Sequence, residues 1–90
     1  MSTKVIHPYI TSKEDIGGGK PIIVGTRTRV SNIVAYYRLG LSPEELAREF
    51  QHLTLSQIHD ALSYYYEHQK EIDREIDEDS EENIKKLVQK

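Results

Sequence analysis

Three basic side chains, Lys20, Arg27 and Arg29, fall within one short stretch, and no acidic residue intervenes between Asp15 and Glu44. Ammonium and guanidinium groups placed this way grip phosphates, and each neutralised phosphate steepens the salt dependence of binding by nearly one unit. A second set, Thr54, Ser56, Gln57 and His59, carries hydroxyl, amide and imidazole groups of the kind that read base edges. Together the two sets point to nucleic acid. Two features oppose this. No Lys or Arg lies between Arg48 and Lys70, and Asp60 would face phosphate unfavourably. Arg27 also fits a structural use, capping helix carbonyls or pairing with Glu44 or Glu49, whereas nothing nearby in sequence claims Lys20 or Arg29.

The elements that must position these groups follow from local chemistry. In GGGKPIIVGTRTRV, residues 17–30, Pro21 fixes φ, and Ile22, Ile23 and Val24 form a β-branched run suited to a half-buried strand. Gly25 ends that strand at a turn, where the Thr26 hydroxyl can bond nearby backbone. The glycine run reads as a flexible entry to the strand. A P-loop would need its lysine to open a helix, and here Pro21 follows Lys20. Val5 and Ile6 supply a first strand to pair with Ile22 to Val24, and Thr11 to Gly19 reads as a loop between them.

Ser31 is the expected N-cap of a first helix that runs to Leu39 and stops at Gly40. Ser42, Pro43 and Glu45 form a capping box with Pro at the first position, which starts a short second helix reaching about Phe50. Thr54 and Gln57 repeat the box at the head of a third helix. A short helix, a tight turn and a longer helix is the helix-turn-helix layout. Leu55, Ile58, Leu62, Tyr65, Ile72 and Ile76 then recur at three- and four-residue spacing, broken only at Gln69, as one continuous seam. Tyr64, Tyr65 and Tyr66 span about 200° of helix, so they cannot share a face as a stacking platform. They suit helix–helix packing instead. The acidic run from Asp73 to Glu82 carries too much charge to fold alone, with a helix break expected near Ser80. Ile84, Leu87 and Val88 form a small second apolar face beside Lys85 and Lys86.

The expected fold is therefore α+β and mainly α: a short N-terminal β-ribbon, a three-helix helix-turn-helix core of homeodomain-like or winged-helix-like type, and an extended C-terminal helical segment. Residues 1–68 form the domain and 69–90 an acidic amphipathic segment. A seam of that length exceeds what one small core can cover, so a homodimer is expected, through Ile22, Val24, Leu62 and Tyr65.

The chain has 90 residues, 37% of them hydrophobic, and no cysteine. A domain of this size buries only roughly 60–65% of its unfolded surface, and no disulfide compensates. Its net charge of −3 hides a polarity. Residues 1–40 hold six Lys or Arg against Glu14 and Asp15, a balance of +4; residues 41–66 balance at −3 and residues 67–90 at −4. Anion binding belongs to the front, and the tail is repelled by nucleic acid. No apolar run approaches a membrane span and the first ten residues lack a signal-peptide core, so a cytoplasmic protein is expected. His7, His52, His59 and His68 lack metal-ligand spacing, and no nucleophile–base grouping stands out. Neither catalysis nor a metal or cofactor is expected.

The run GGKPIIVGTRTRV, followed by GLSPEELAREF and LTLSQIHDALSYY, resembles the bacterial domain-of-unknown-function family 433 in order and spacing over roughly residues 6–72. The resemblance implies a helix-turn-helix domain acting as an antitoxin, paired with a PIN-like ribonuclease toxin that holds metal ions with clustered carboxylates and binds RNA in a basic groove. On that footing the toxin-binding residues are Ile72, Arg74, Ile76, Asp77, Ile84, Lys85, Leu87 and Val88. The acidic residues 77–82 would fill the groove, and Arg74 would pair bidentately with the active-site carboxylates. The DNA partner that the resemblance implies is the pair's own operator. Two alternatives stay open: a stand-alone helix-turn-helix regulator, and a protein-interaction domain without DNA contact.

Overall fold

A computed structural model of the chain describes residues 6–88, with side chains described as far as Asp79. Two antiparallel strands, β1 (Ile10–Lys13) and β2 (Ile16–Ile23), precede four helices: α1 (Val30–Arg38), α2 (Pro43–Glu49), α3 (Leu55–Glu67) and α4 (Gln69–Val88). The fold is α+β and mainly helical. Among the described residues, no helix is long and apolar enough to cross a membrane.

The ribbon differs from the sequence expectation in its partner strand. Ile10 pairs with Ile23, Thr11 with Ile22 and Ser12 with Pro21, and the register then jumps so that Lys13 pairs with Ile16. Ile6 is exposed coil and Val5 lies outside the described residues. Most of the expected loop is thus strand, closed by a tight turn at Glu14 and Asp15. The glycines lie inside β2, as an irregularity and not as its entry. Gly17, Gly18 and Gly19 have φ of 60°, 65° and 82°, the left-handed backbone that accommodates the extra residues. At Gly17 a Cβ would also press to 3.3 Å from the Arg29 side chain.

β2 ends at Ile23, and Val24 falls in the turn. Gly25 takes φ 78°, the Thr26 hydroxyl donates to the Ile23 carbonyl at 2.9 Å, and Thr28 N–H donates to Thr26 Oγ1 at 3.0 Å. The Ile23 N–H reaches the Thr28 carbonyl at 2.9 Å, so the chain doubles back before α1. Helix α1 starts two residues earlier than expected, with Arg29 at the N-cap and no side-chain cap. Ser31 is not the cap. It points inward at 2% exposure, with its hydroxyl toward the Glu75 carboxylate of α4 but outside the geometry of a full hydrogen bond. Gly40, at φ 106°, ends α1 as expected, its N–H bonded to the Tyr37 carbonyl at 2.9 Å.

Both expected capping boxes are present. Glu45 N–H donates to Ser42 Oγ at 3.2 Å while Ser42 N–H donates to Glu45 Oε1 at 2.9 Å. The same reciprocal pair joins Gln57 to Thr54 Oγ1 at 3.2 Å and Thr54 to Gln57 Oε1 at 2.7 Å.

The continuous third helix does not form. It breaks at His68, whose φ of −127° and ψ of 39° tilt α4 away from the axis of α3 and onto α1. Neither Pro nor Gly marks the break. It is held by the Tyr65 hydroxyl donating to Asp73 Oδ1 at 2.9 Å, with Arg38 Nη1 3.6 Å from the same carboxylate oxygen. The bend allows the seam residues Ile58, Leu62, Tyr65 and Ile72 to join Ile23, Ile33, Val34 and Leu46 in one buried cluster, with Ile76 packed at its edge. Leu55, at 42% exposure, stays outside. One small core therefore covers most of the seam, and the acidic stretch beyond Asp73 continues as helix through Val88 without a break at Ser80.

Candidate functional site

The basic residues expected to act together are divided between two surfaces. On the first, Lys13 closes β1, Arg27 and Thr28 lie in the connection before α1, and His52 lies between α2 and α3. Thr28 Oγ1 and His52 Nε2 are 2.7 Å apart, a hydrogen bond that ties the β2–α1 connection to the start of α3. These residues surround an open cavity of about 800 Å³ floored by Ile16 and the edge of Ile22, and none of its lining residues is acidic. Arg27 is exposed and takes part in none of the ion pairs among the described residues, so the pairing with Glu44 or Glu49 does not form.

On α3, the side chains of Thr54 and Gln57 are engaged in the cap, leaving one Gln57 amide group to make other contacts. Ser56 and His59 are exposed. Asp60 does not face outward: its carboxylate accepts from Tyr9 N–H at 3.0 Å and contacts His7 Nδ1 at 2.8 Å. The other His7 nitrogen reaches Glu67 Oε1 at 2.5 Å. Burial opposes protonation of His7, but the bonds to Asp60 and Glu67 prevail and raise its pKa above the ordinary 6.5. The chain before β1 is clasped to α3 in this way.

The second surface lies between β2 and α4. Arg29 Nη2 is 3.6 Å from Asp79 Oδ2. Lys20 shares a cleft of about 400 Å³ with Arg74 and with three α4 carboxylates, Glu71, Glu75 and Glu78. Glu75 is only 7% exposed, and its Oε2 has no hydrogen-bond partner. Burial pushes its carboxyl pKa up, Ser31, Lys20 and Arg29 pull it back, and Asp79 adds to the rise. Of the two cations that nothing nearby in sequence claimed, Arg29 pairs with α4, 50 residues away, and Lys20 faces the α4 carboxylates across the cleft.

Of the expected dimer residues, Ile22, Leu62 and Tyr65 are buried at 6% exposure or less inside the single chain, and Val24 is exposed. Of the expected toxin-binding residues, Ile72 is fully buried in the core and Ile76 is half-buried, because α4 packs on α1. Arg74 and Asp77 are exposed. The side chains of Ile84, Lys85, Leu87 and Val88 lie outside those described. Tyr65 packs inside, whereas Tyr66 is exposed with its hydroxyl 2.6 Å from that of Tyr37.

Sequence reasoning missed Lys13, His52 and Thr28 on the first surface. Lys13 belonged to the basic front, but the loop assigned there hid its place at the end of a strand. No local signal pairs Thr28 with His52, 24 positions away.

Residues 10–65 match the family described as "Protein of unknown function (DUF433)". The solved structure of a DUF433 member from Anabaena variabilis ATCC 29413 is similar at a TM-score of 0.70 and 34% identity, over 76% of this chain and 67% of that one. No curated protein matches the chain. With the family pattern covering more than half its length and a solved relative sharing its fold, this chain belongs to the DUF433 family.

Proposed function

We propose that this chain is the antitoxin of a toxin–antitoxin pair, binding a PIN-like ribonuclease through α4 and repressing its own operon through a DNA-binding surface. In this reading α2 and α3 form a helix-turn-helix, with Ser56 and His59 presented to the groove and Arg27 to the backbone. The observation that carries it is the segregation of charge. One surface, beside the start of α3, has Lys13, Arg27 and His52 with no carboxylate in its lining, while α4 keeps its acidic residues on a separate element. A chain that must contact a polyanion and a basic groove at once requires that separation. That the toxin is a PIN-like ribonuclease is part of this proposal. The protein works in the cytoplasm, and as a dimer it would use exposed residues such as Val24, since the other expected interface residues lie inside the core.

Ile72 belongs to the core, so a cut after Glu67 would damage the fold and is uninformative. Removing residues 80–90 is the cleaner test. The shortened chain is expected to stay folded but to stop inhibiting the nuclease encoded beside it. A shortened chain that still inhibits at equal stoichiometry would refute the assignment.

A further inference from the structure

We propose that the cavity bounded by Lys13, Arg27, Thr28 and His52 over Ile16 and Ile22 is a binding site for a small organic phosphomonoester with an apolar body. Its volume, about 800 Å³, lies within the range of small-molecule pockets. Its composition is amphipathic in the required way. Ile16, half-buried, and the edge of Ile22 give an apolar floor, and the rim carries two permanent cations. A phosphomonoester near neutral pH carries a charge close to −2, matched by Lys13 and Arg27 together. The Thr28 hydroxyl and His52 Nε2 are joined by a 2.7 Å bond, and the pair keeps one donor for a phosphate oxygen: the Thr28 O–H where Nε2–H donates to Thr28, or the His52 Nδ1–H where Thr28 donates to Nε2.

The nearest acidic side chains in sequence, Glu14 and Asp15, are exposed in the β1–β2 turn and do not line the cavity. The second cleft makes the contrast, since three carboxylates there share the space with Lys20 and Arg74 and would repel the same ligand. A phosphodiester backbone, with one charge per phosphate and no apolar body, would use the rim and leave the floor empty. The site shares Arg27 with the proposed DNA surface, but its ligand does not depend on that function.

The test is calorimetric titration of the full chain with phenyl phosphate, inorganic phosphate and phenol. Phenyl phosphate is expected to bind at least about tenfold more tightly than either part alone. Lys13→Ala and Arg27→Ala should each weaken it about tenfold, as expected for loss of one charge-assisted hydrogen bond. Ile16→Ser should reduce phenyl phosphate to the level of inorganic phosphate, and Arg48→Ala, on the exposed face of α2, should leave it unchanged. Equal affinity for phenyl phosphate and inorganic phosphate, or indifference to Lys13→Ala and Arg27→Ala, would overturn the proposal. Promoter DNA titrated separately distinguishes the two readings. Phenyl phosphate binding without DNA binding sustains this site and removes the DNA surface; DNA binding without phenyl phosphate binding does the reverse.

Discussion

Arg27 and Arg29 are two residues apart, yet they belong to regions with opposite electrostatic character. Arg27 projects into a surface whose lining holds no carboxylate, whereas Arg29 lies along Gly17 and reaches Asp79 on α4. The division is made by the turn after β2. Thr26 and Thr28 fold the chain back so that the residues on either side of Thr28 face different neighbours. Two equivalent side chains in a basic stretch therefore differ in use because of what is packed beside each. Charge in sequence identifies the candidates for anion binding, and the fold selects among them.

The strongest way to break this contrast is to loosen α4, which supplies the carboxylates. Ile72 is its fully buried anchor. Ile72→Ala is expected to cost about 2–5 kcal/mol in denaturant unfolding. A loss below about 1 kcal/mol would show that α4 does not depend on that anchor.

The next test compares the two arginines directly. Arg27→Ala should weaken promoter binding by about 1.4 kcal/mol, or tenfold, and lower the salt slope by roughly one unit. Arg29→Ala should leave the slope nearly unchanged, since Asp79 already engages that side chain. Fluorescence anisotropy across a salt series reads both, and equal effects would erase the distinction.

Glu75 sharpens the acidic side of the comparison. Its carboxyl pKa is raised above the ordinary 4.5, chiefly by burial, so the folded state holds the proton more tightly than the unfolded state. Its contribution to stability is then fully present below about pH 4.5 and is lost as pH rises through the raised folded value. Glu75→Gln, which stays neutral, should be more stable than the parent at pH 7, with the gap closing toward pH 4. Thermal melts at the two pH values measure this. A gap that widens in acid would mean that Lys20 and Arg29 outweigh burial.

The smallest effect is expected at the ion pair itself. Arg29 and Asp79 are 28% and 43% exposed, and such a pair is worth only about 0.2–1 kcal/mol. Asp79→Asn should barely move the unfolding midpoint while giving Arg29→Ala a larger effect on DNA binding than it has in the parent.

What the sequence determined by itself is what depends on neighbours three or four positions away. Ser42 with Glu45 and Thr54 with Gln57 close their capping boxes within a single turn, and Gly40 ends α1 because its own backbone adopts φ 106°. The starts of α2 and α3 were legible for that reason, whereas α1, which begins at Arg29 without a side-chain cap, was not. The hairpin was misplaced because three consecutive glycines look the same in a loop and in a strand irregularity, and only pairing with β1 distinguishes the two. The seam was misread as one helix because three- and four-residue spacing records which face is apolar, not whether the axis stays straight across His68. The bend there is stabilised by Ile72 burying against residues far away in the chain and by Tyr65 bonding Asp73. The candidate site divides in the same way. The basic character of the front was set by composition, but only tertiary packing could place Lys13, Arg27 and His52 on one surface and bring Asp79 to Arg29, because those contacts join residues whose sequence separation leaves no local trace.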